Sequence, residues 1–150
     1  MKLDSRIQTK KHKEIVHQLI MNVVNELLIR SYNHDNSKLV EPEVSYFDEL
    51  TPLLSSSTYG SEEYYSFLEK LKPALDHHYK EYRHHPEHFE NKCSDMNIID
   101  IIEMFIDWKA STMRHDNGDI FKSIEINKNR FDLDNVSLYD ILKNSINIFQ

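Results

Sequence analysis

Glycine is almost missing from this chain, which has two in 150 residues. With only four prolines beside them, a turn-rich β-sandwich or barrel is excluded and long helices are expected. A single cysteine, Cys93, rules out an internal disulfide and a thiolate metal cage. No apolar run reaches membrane length: Ile98–Ile106 is broken by Asp100 and Glu103. The opening MKLDSRIQTKKHKE holds no apolar stretch that serves as a signal peptide. A cytoplasmic protein without a membrane partner is therefore expected. Positive charge is short as well. The net charge of −7 opposes non-specific binding to duplex nucleic acid or an anionic membrane. It leaves an anionic small substrate open, because a bound dication reverses the field locally.

What is present suits one helical domain spanning residues 1–150. Hydrophobic residues make up 39% of the chain, and one tryptophan, eight tyrosines and seven phenylalanines supply large core pieces. Ile15, Leu19, Val23 and Leu27 recur at helical spacing and predict a helix over 5–32. The turn formers of Ser31–Lys38 end it. Pro42 suits the first turn of a helix over 41–54, with Val44, Phe47 and Leu50 inward. After the loop Ser55–Gly60, Ser61 reads as the N-cap of a third helix, with Glu62 and Glu63 in its first turn. That helix reaches about Arg83, and Pro86 disfavours helical geometry at His85. Helices over 96–115, closed by Asn117-Gly118, over 119–129, and over 138–149 behind the cap Ser137 complete an all-α reading.

Five of the nine histidines fall within His77–His88, HHYKEYRHHPEH. Near them in the reading stand His34-Asp35 and a helix carrying Asp100, Glu103 and Asp107. Imidazole and carboxylate together are the donors of a borderline divalent ion. The bland alternative is a solvated, histidine-rich helix end. His78 and His85 lie seven apart, as do His77 and His84, about 10 Å along a straight helix. One ion cannot join either pair unless the break at Pro86 swings His84 or His85 back. Otherwise each imidazole serves one ion of a pair. Asp100, Glu103 and Asp107 share a face opposite Ile98, Ile101, Ile102 and Phe105. Alone, that pattern is an amphipathic helix with an acidic outer face, on which Arg114 offers a surface ion pair. Trp108 beside Asp107 argues against a fully solvated face. His34-Asp35 with Lys38 reads HDNSK, in which the lysine can meet a substrate phosphate.

At these residues the chain resembles the HD-domain superfamily of metal-dependent phosphohydrolases, and more closely a related family of short phage and bacterial proteins. The matching stretches run in order through HKEIV (12–16), HDNSKL (34–39), EPE (41–43), HHYKEYRHHPEHF (77–89) and DIIEMFIDWKAS (100–111). The resemblance implies a single-domain, HD-like helical bundle. It assigns metal ligation to His12, His34, Asp35, His78, His85 or His84, and Asp107. It gives Lys38 contact with phosphate, and gives Glu103 and Arg114 a supporting role. Tyr82 stands where relatives often carry asparagine. For His12 to share an ion with His34, a long first helix must reverse near Asn22–Glu26, or a second subunit must supply the ligand.

The expectation is one or two divalent ions (Mn, Mg, Fe or Zn) and hydrolysis of a phosphate ester, a nucleotide, in a chain able to form homo-oligomers. Two other classes share the ligand set: a di-iron oxygenase on the same fold, and a non-catalytic factor that binds a nucleotide or a protein.

Overall fold

The structure, a computed structural model, describes residues 5–58, 61–113, 118–133, 138–139 and 141. Those residues form five α-helices and no strand: α1 (Ser5–Asn33), α2 (Glu43–Ser56), α3 (Glu62–Glu81), α4 (Ile98–Thr112) and α5 (Ile120–Phe131). Short 3-10 turns occupy Asn36–Leu39, Pro86–His88 and Lys92–Asp95. The chain is all-α, and the helix ends differ from the expected ones by a few residues. Most of the last expected helix, 138–149, lies outside the described residues, as do Arg114, Asn117 and Gly60. No described helix is long and apolar enough to cross a membrane.

Contacts divide the chain into two compact units, Met1–His34 and Asp35–Gln150. In the first, α1 is unbroken over 29 residues and buries no side chain. Its apolar residues are spread around the axis, and Ile15, Leu19 and Ile20 are each more than half exposed. The helix runs through Asn22–Glu26 without the reversal that His12 needs. His12 therefore lies about 33 Å along the axis from His34. Within one chain the two cannot hold the same ion.

In the second unit, capping chemistry sets the helix starts. The Ser61 side chain accepts from Tyr64 N at 3.1 Å, as expected of an N-cap. Asn97 and Asp100 form a capping box at the start of α4: Asn97 Oδ1 accepts from Asp100 N, and Asp100 Oδ2 accepts from Asn97 N, each at 3.0 Å. Gly118 follows α4 where a Cβ would stand 1.7 Å from the Thr112 carbonyl oxygen, so only glycine fits that close approach. α3 continues through Pro73 and stops at Glu81, five residues short of Pro86.

Two apolar clusters form. Leu50, Leu71 and Ala74 join α2 to α3, with Phe47 and Phe67 packed against them. Met104 and Phe105 of α4 meet Ile120, Ile124 and Phe131 of α5 around Cys93. Burial pushes the Cys93 thiol up to about 11, so it is an inert core residue rather than a nucleophile. Among the described residues, five buried polar ones, Glu43, His78, His84, Asp100 and Glu103, belong to neither cluster. Burying such groups is costly unless each finds a partner. Their partners define the site.

Candidate metal centre

At Asp100 and Glu103 the acidic face of α4 turns inward, against the solvated face that the pattern alone suggests. Asp100 is 0% exposed and Glu103 8%, whereas Ile98 is 67% exposed. Partners explain the reversal. Arg83 Nε and Nη2 donate to the two Asp100 oxygens at 3.1 and 2.8 Å. His84 Nδ1 lies 3.2 Å from Glu103 Oε1. The Arg83–Asp100 fork ties residues 82–85 to the start of α4, and the Arg83 guanidinium covers the Phe89 ring at 4.8 Å.

Because α3 ends at Glu81, the chain leaves the helix and turns back on itself. His78 at the end of α3 and His85 after it bring their Nε2 atoms to 2.9 Å. The His84 and His85 ring centroids stand 4.1 Å apart. Asp35 completes the group: its Oδ1 lies 3.1 Å from His78 Nε2 and 3.5 Å from His84 Nε2. One donor atom from each of Asp35, His78, His84 and His85 falls within 4.8 Å of the others. The backbone of Asp35 is left-handed, φ 58°, at the head of the turn Asn36–Leu39. Aspartate tolerates that conformation better than most residues.

Two carboxylates aim the imidazoles. His78 Nδ1 donates to Glu43 Oε2 at 3.0 Å, and His84 Nδ1 meets Glu103 Oε1 as above. In the tautomer with its proton on Nδ1, each ring presents the Nε2 lone pair toward Asp35 Oδ1. This is the arrangement by which second partners orient metal-bound histidine. Two lone pairs facing a carboxylate oxygen repel unless a cation lies among them. Ligands bonded to one ion at about 2.0–2.2 Å stand about 3.0–3.5 Å apart, the range of the separations here. A buried His/Asp cluster of this composition can hold a divalent metal ion.

Charge supports the same state. Burial, then the neighbouring His84 and His78, lowers His85 to about 3, so it stays neutral as a ligand must. Burial alone would raise Asp35, but hydrogen bonds from His78 and His84 (their protons then on Nε2) and from Lys38 outweigh it and hold the carboxyl well below the usual range. Burial acts on Glu43 in the same sense, and contacts with His77, Ser37 and His78 lower it.

Compared with known proteins, the chain matches the profile of a family of unknown function, DUF5662, over residues 1–148. The chain belongs to DUF5662. No curated protein and no solved structure matches it.

The DUF5662 cluster gathers some of the expected residues and leaves others apart. Asp35, His78, His84 and His85 converge. Glu103 stands behind His84, and Lys38 Nζ donates to Asp35 Oδ2 at 2.6 Å while lying over the Phe47 ring at 5.5 Å. Asp107 is not one of the four converging residues; it lines a cavity together with His85 and Trp108. His12 is exposed on α1. His77 is the outer member of its doublet and binds Glu43 through Nδ1 at 2.6 Å, while His88 Nδ1 donates to the Tyr79 carbonyl at 2.9 Å.

Glu43 has no local signal, being one acid among several in a helix start 35 residues before His78. Ser37 was equally hidden: its N donates to the Tyr82 hydroxyl at 2.8 Å, and the Tyr82 ring packs on His78 with centroids 4.7 Å apart. Tyr82 thus fastens the 36–39 turn to the end of α3.

Two stability results are expected. Arg83→Ala leaves the buried Asp100 carboxylate without its guanidinium and costs about 3 kcal/mol, read as a lowered urea midpoint. An unchanged midpoint would contradict the bridging role. The metal-free protein also weakens as pH falls from 7 to 5. Below about 6.5 the unfolded chain protonates His85 while the folded chain does not, so the unfolded state binds more protons. Acid therefore favours unfolding, by about 2 kcal/mol at pH 5 from this group. Asp35, lowered in the fold, adds a second loss as pH drops past the usual carboxylate range. Urea titrations in chelator across that range check the sign.

Proposed function

We propose that this protein is a divalent-metal-dependent phosphohydrolase acting on a phosphate ester, a nucleotide. The observation that carries the reading is the pair of imidazoles, His78 and His84, each backed by a buried carboxylate and turned toward Asp35. Surface histidines do not acquire buried carboxylates on their far side. When bound, the ion supplies Lewis acidity and a water activated near neutral pH.

The remaining steps belong to the chain. Asp35, His78, His84 and His85 hold the ion, and Glu43 and Glu103 keep two of the rings in the tautomer that can bind it. Lys38, paired with Asp35 and one-third exposed, offers its ammonium to a phosphoryl oxygen as charge builds there. Asp107, beside His85 on the cavity wall, stands where it can accept a proton or add a ligand. The motif pattern of the HD superfamily points the same way.

The test is elemental analysis of purified protein, followed by a phosphate-release screen of phosphorylated metabolites with the ion found. The expected outcome is near-stoichiometric divalent metal and release from nucleotide esters. Metal retention without release from any phosphate ester would reduce the protein to a binding factor. A visible iron band after aerobic purification would move it to oxygen chemistry.

A further inference from the structure

The cavity that His85 shares with Asp107 measures about 260 Å³ and lies against α4 and α5. On α4, Asp107, Trp108 and Ser111 face it; on α5, Ser123, Asn127 and Arg130 do. These sets follow from helix spacing, since positions three and four apart share a face. His85 sits at the boundary, its ring in the metal cluster and against Tyr79 with centroids 4.9 Å apart. A ligand in the cavity with one end at His85 is therefore within reach of the cluster.

The walls define what that ligand is. Hydroxyl and amide groups from Ser111, Ser123, Asn127 and Tyr79 line the cavity, a set suited to hydroxyl-bearing molecules. Trp108 adds a flat aromatic surface, nearly parallel to the Phe131 ring that lines the cavity with it, at 6.1 Å and 15° between planes. A planar ring can rest against that indole. Charge discriminates further. Two carboxylates, Glu87 and Asp107, against one guanidinium leave the wall at a formal −1. Arg130 is already bound to Glu87 and lies over the Phe131 ring. A single phosphate at the metal end meets a cation, but a second or third phosphate extending into the cavity meets net negative charge.

We propose that this cavity takes the nucleoside of a nucleoside monophosphate, with its phosphate toward the His85 end, and discriminates against nucleoside di- and triphosphates. The proposal rests on the phosphohydrolase reading for the placement of the phosphate. Its own content is the cavity: an aromatic surface for the base, hydroxyl and amide partners for the sugar, and a wall charge that repels further phosphates.

The experiment is calorimetric titration of the full chain loaded with Mn²⁺, using AMP, ADP, ATP and ribose 5-phosphate, with p-nitrophenyl phosphate turnover measured in parallel. AMP is expected to bind at least tenfold more tightly than ADP or ribose 5-phosphate. Glu87→Gln removes one carboxylate and frees Arg130, so the AMP-over-ADP preference should shrink several-fold. Trp108→Leu should weaken AMP while leaving ribose 5-phosphate unchanged. Trp108 also packs on the core, so the partly exposed Glu87 carries the test if the Trp108 variant does not fold. Equal or tighter binding of ADP, equal binding of ribose 5-phosphate, or no AMP binding at millimolar concentration overturns the proposal. p-Nitrophenyl phosphate turnover with any of those results leaves the phosphohydrolase reading standing. AMP selectivity without turnover sinks the enzyme reading and keeps the cavity.

Discussion

Asp35→Ala is expected to lose metal affinity by more than about 100-fold and to lower turnover to background, with helix content by circular dichroism unchanged. The reasoning starts from the geometry. Asp35 supplies the only carboxylate oxygen among the four converging donors, 3.1 and 3.5 Å from the Nε2 atoms of His78 and His84. Removing even a partner behind a ligand typically costs 10–100-fold in affinity, so losing a ligand costs more. The fold should survive because Asp35 is partly exposed and belongs to neither apolar cluster. Asp35→Asn separates charge from shape: it keeps an oxygen donor and is expected to fall between wild type and alanine. Wild-type metal content in Asp35→Ala would end the metal-centre reading.

Glu43→Gln gives the second large effect, through a residue that touches no ion in the proposed site. Its carboxylate is 0% exposed and binds His77 Nδ1 at 2.6 Å and His78 Nδ1 at 3.0 Å. Glutamine keeps the volume and replaces one acceptor oxygen with a donor that faces a ring N–H. His78 then loses the partner that fixes its tautomer. The expected result is a 10–100-fold weaker metal dissociation constant and a metal-free protein less stable by about 1–3 kcal/mol. Glu41→Gln, at an exposed position two residues away, is the control and should change neither. If Glu43→Gln binds metal as wild type does, the carboxylates behind the rings are packing features only.

The legible part of this protein was the part written in local pattern. The scarcity of glycine and proline, the 3.6-residue spacing of apolar side chains and Ser61 as a cap all act over one or two turns of chain. They yielded five helices within a few residues of their places. The histidine stretch was visible for the same reason, and so was the point at which the helix had to end for His84 and His85 to approach His78.

The pattern of α4 alone left its acidic face open to the solvent, because periodicity reports which residues share a side, not which side is buried. Charge ordinarily marks the solvent face. Here Arg83 and His84, presented by a neighbouring turn, make burial of Asp100 and Glu103 affordable. No window of α4 contains those partners. Glu43 was illegible on the same ground, being one acid among 25 acidic residues until α2 packs on α3 and sets it behind His77 and His78.

By itself the sequence determined five helices to within a few residues, the exclusion of an internal disulfide, and a supply of imidazoles near the end of α3. Tertiary structure alone decided which carboxylate backs which ring, that Asp35, His78, His84 and His85 converge, and which side chains line the cavity. Helix formation is governed by neighbours within four residues, whereas a site is assembled by contacts between residues tens of positions apart, whose pairing exists only once the helices have packed.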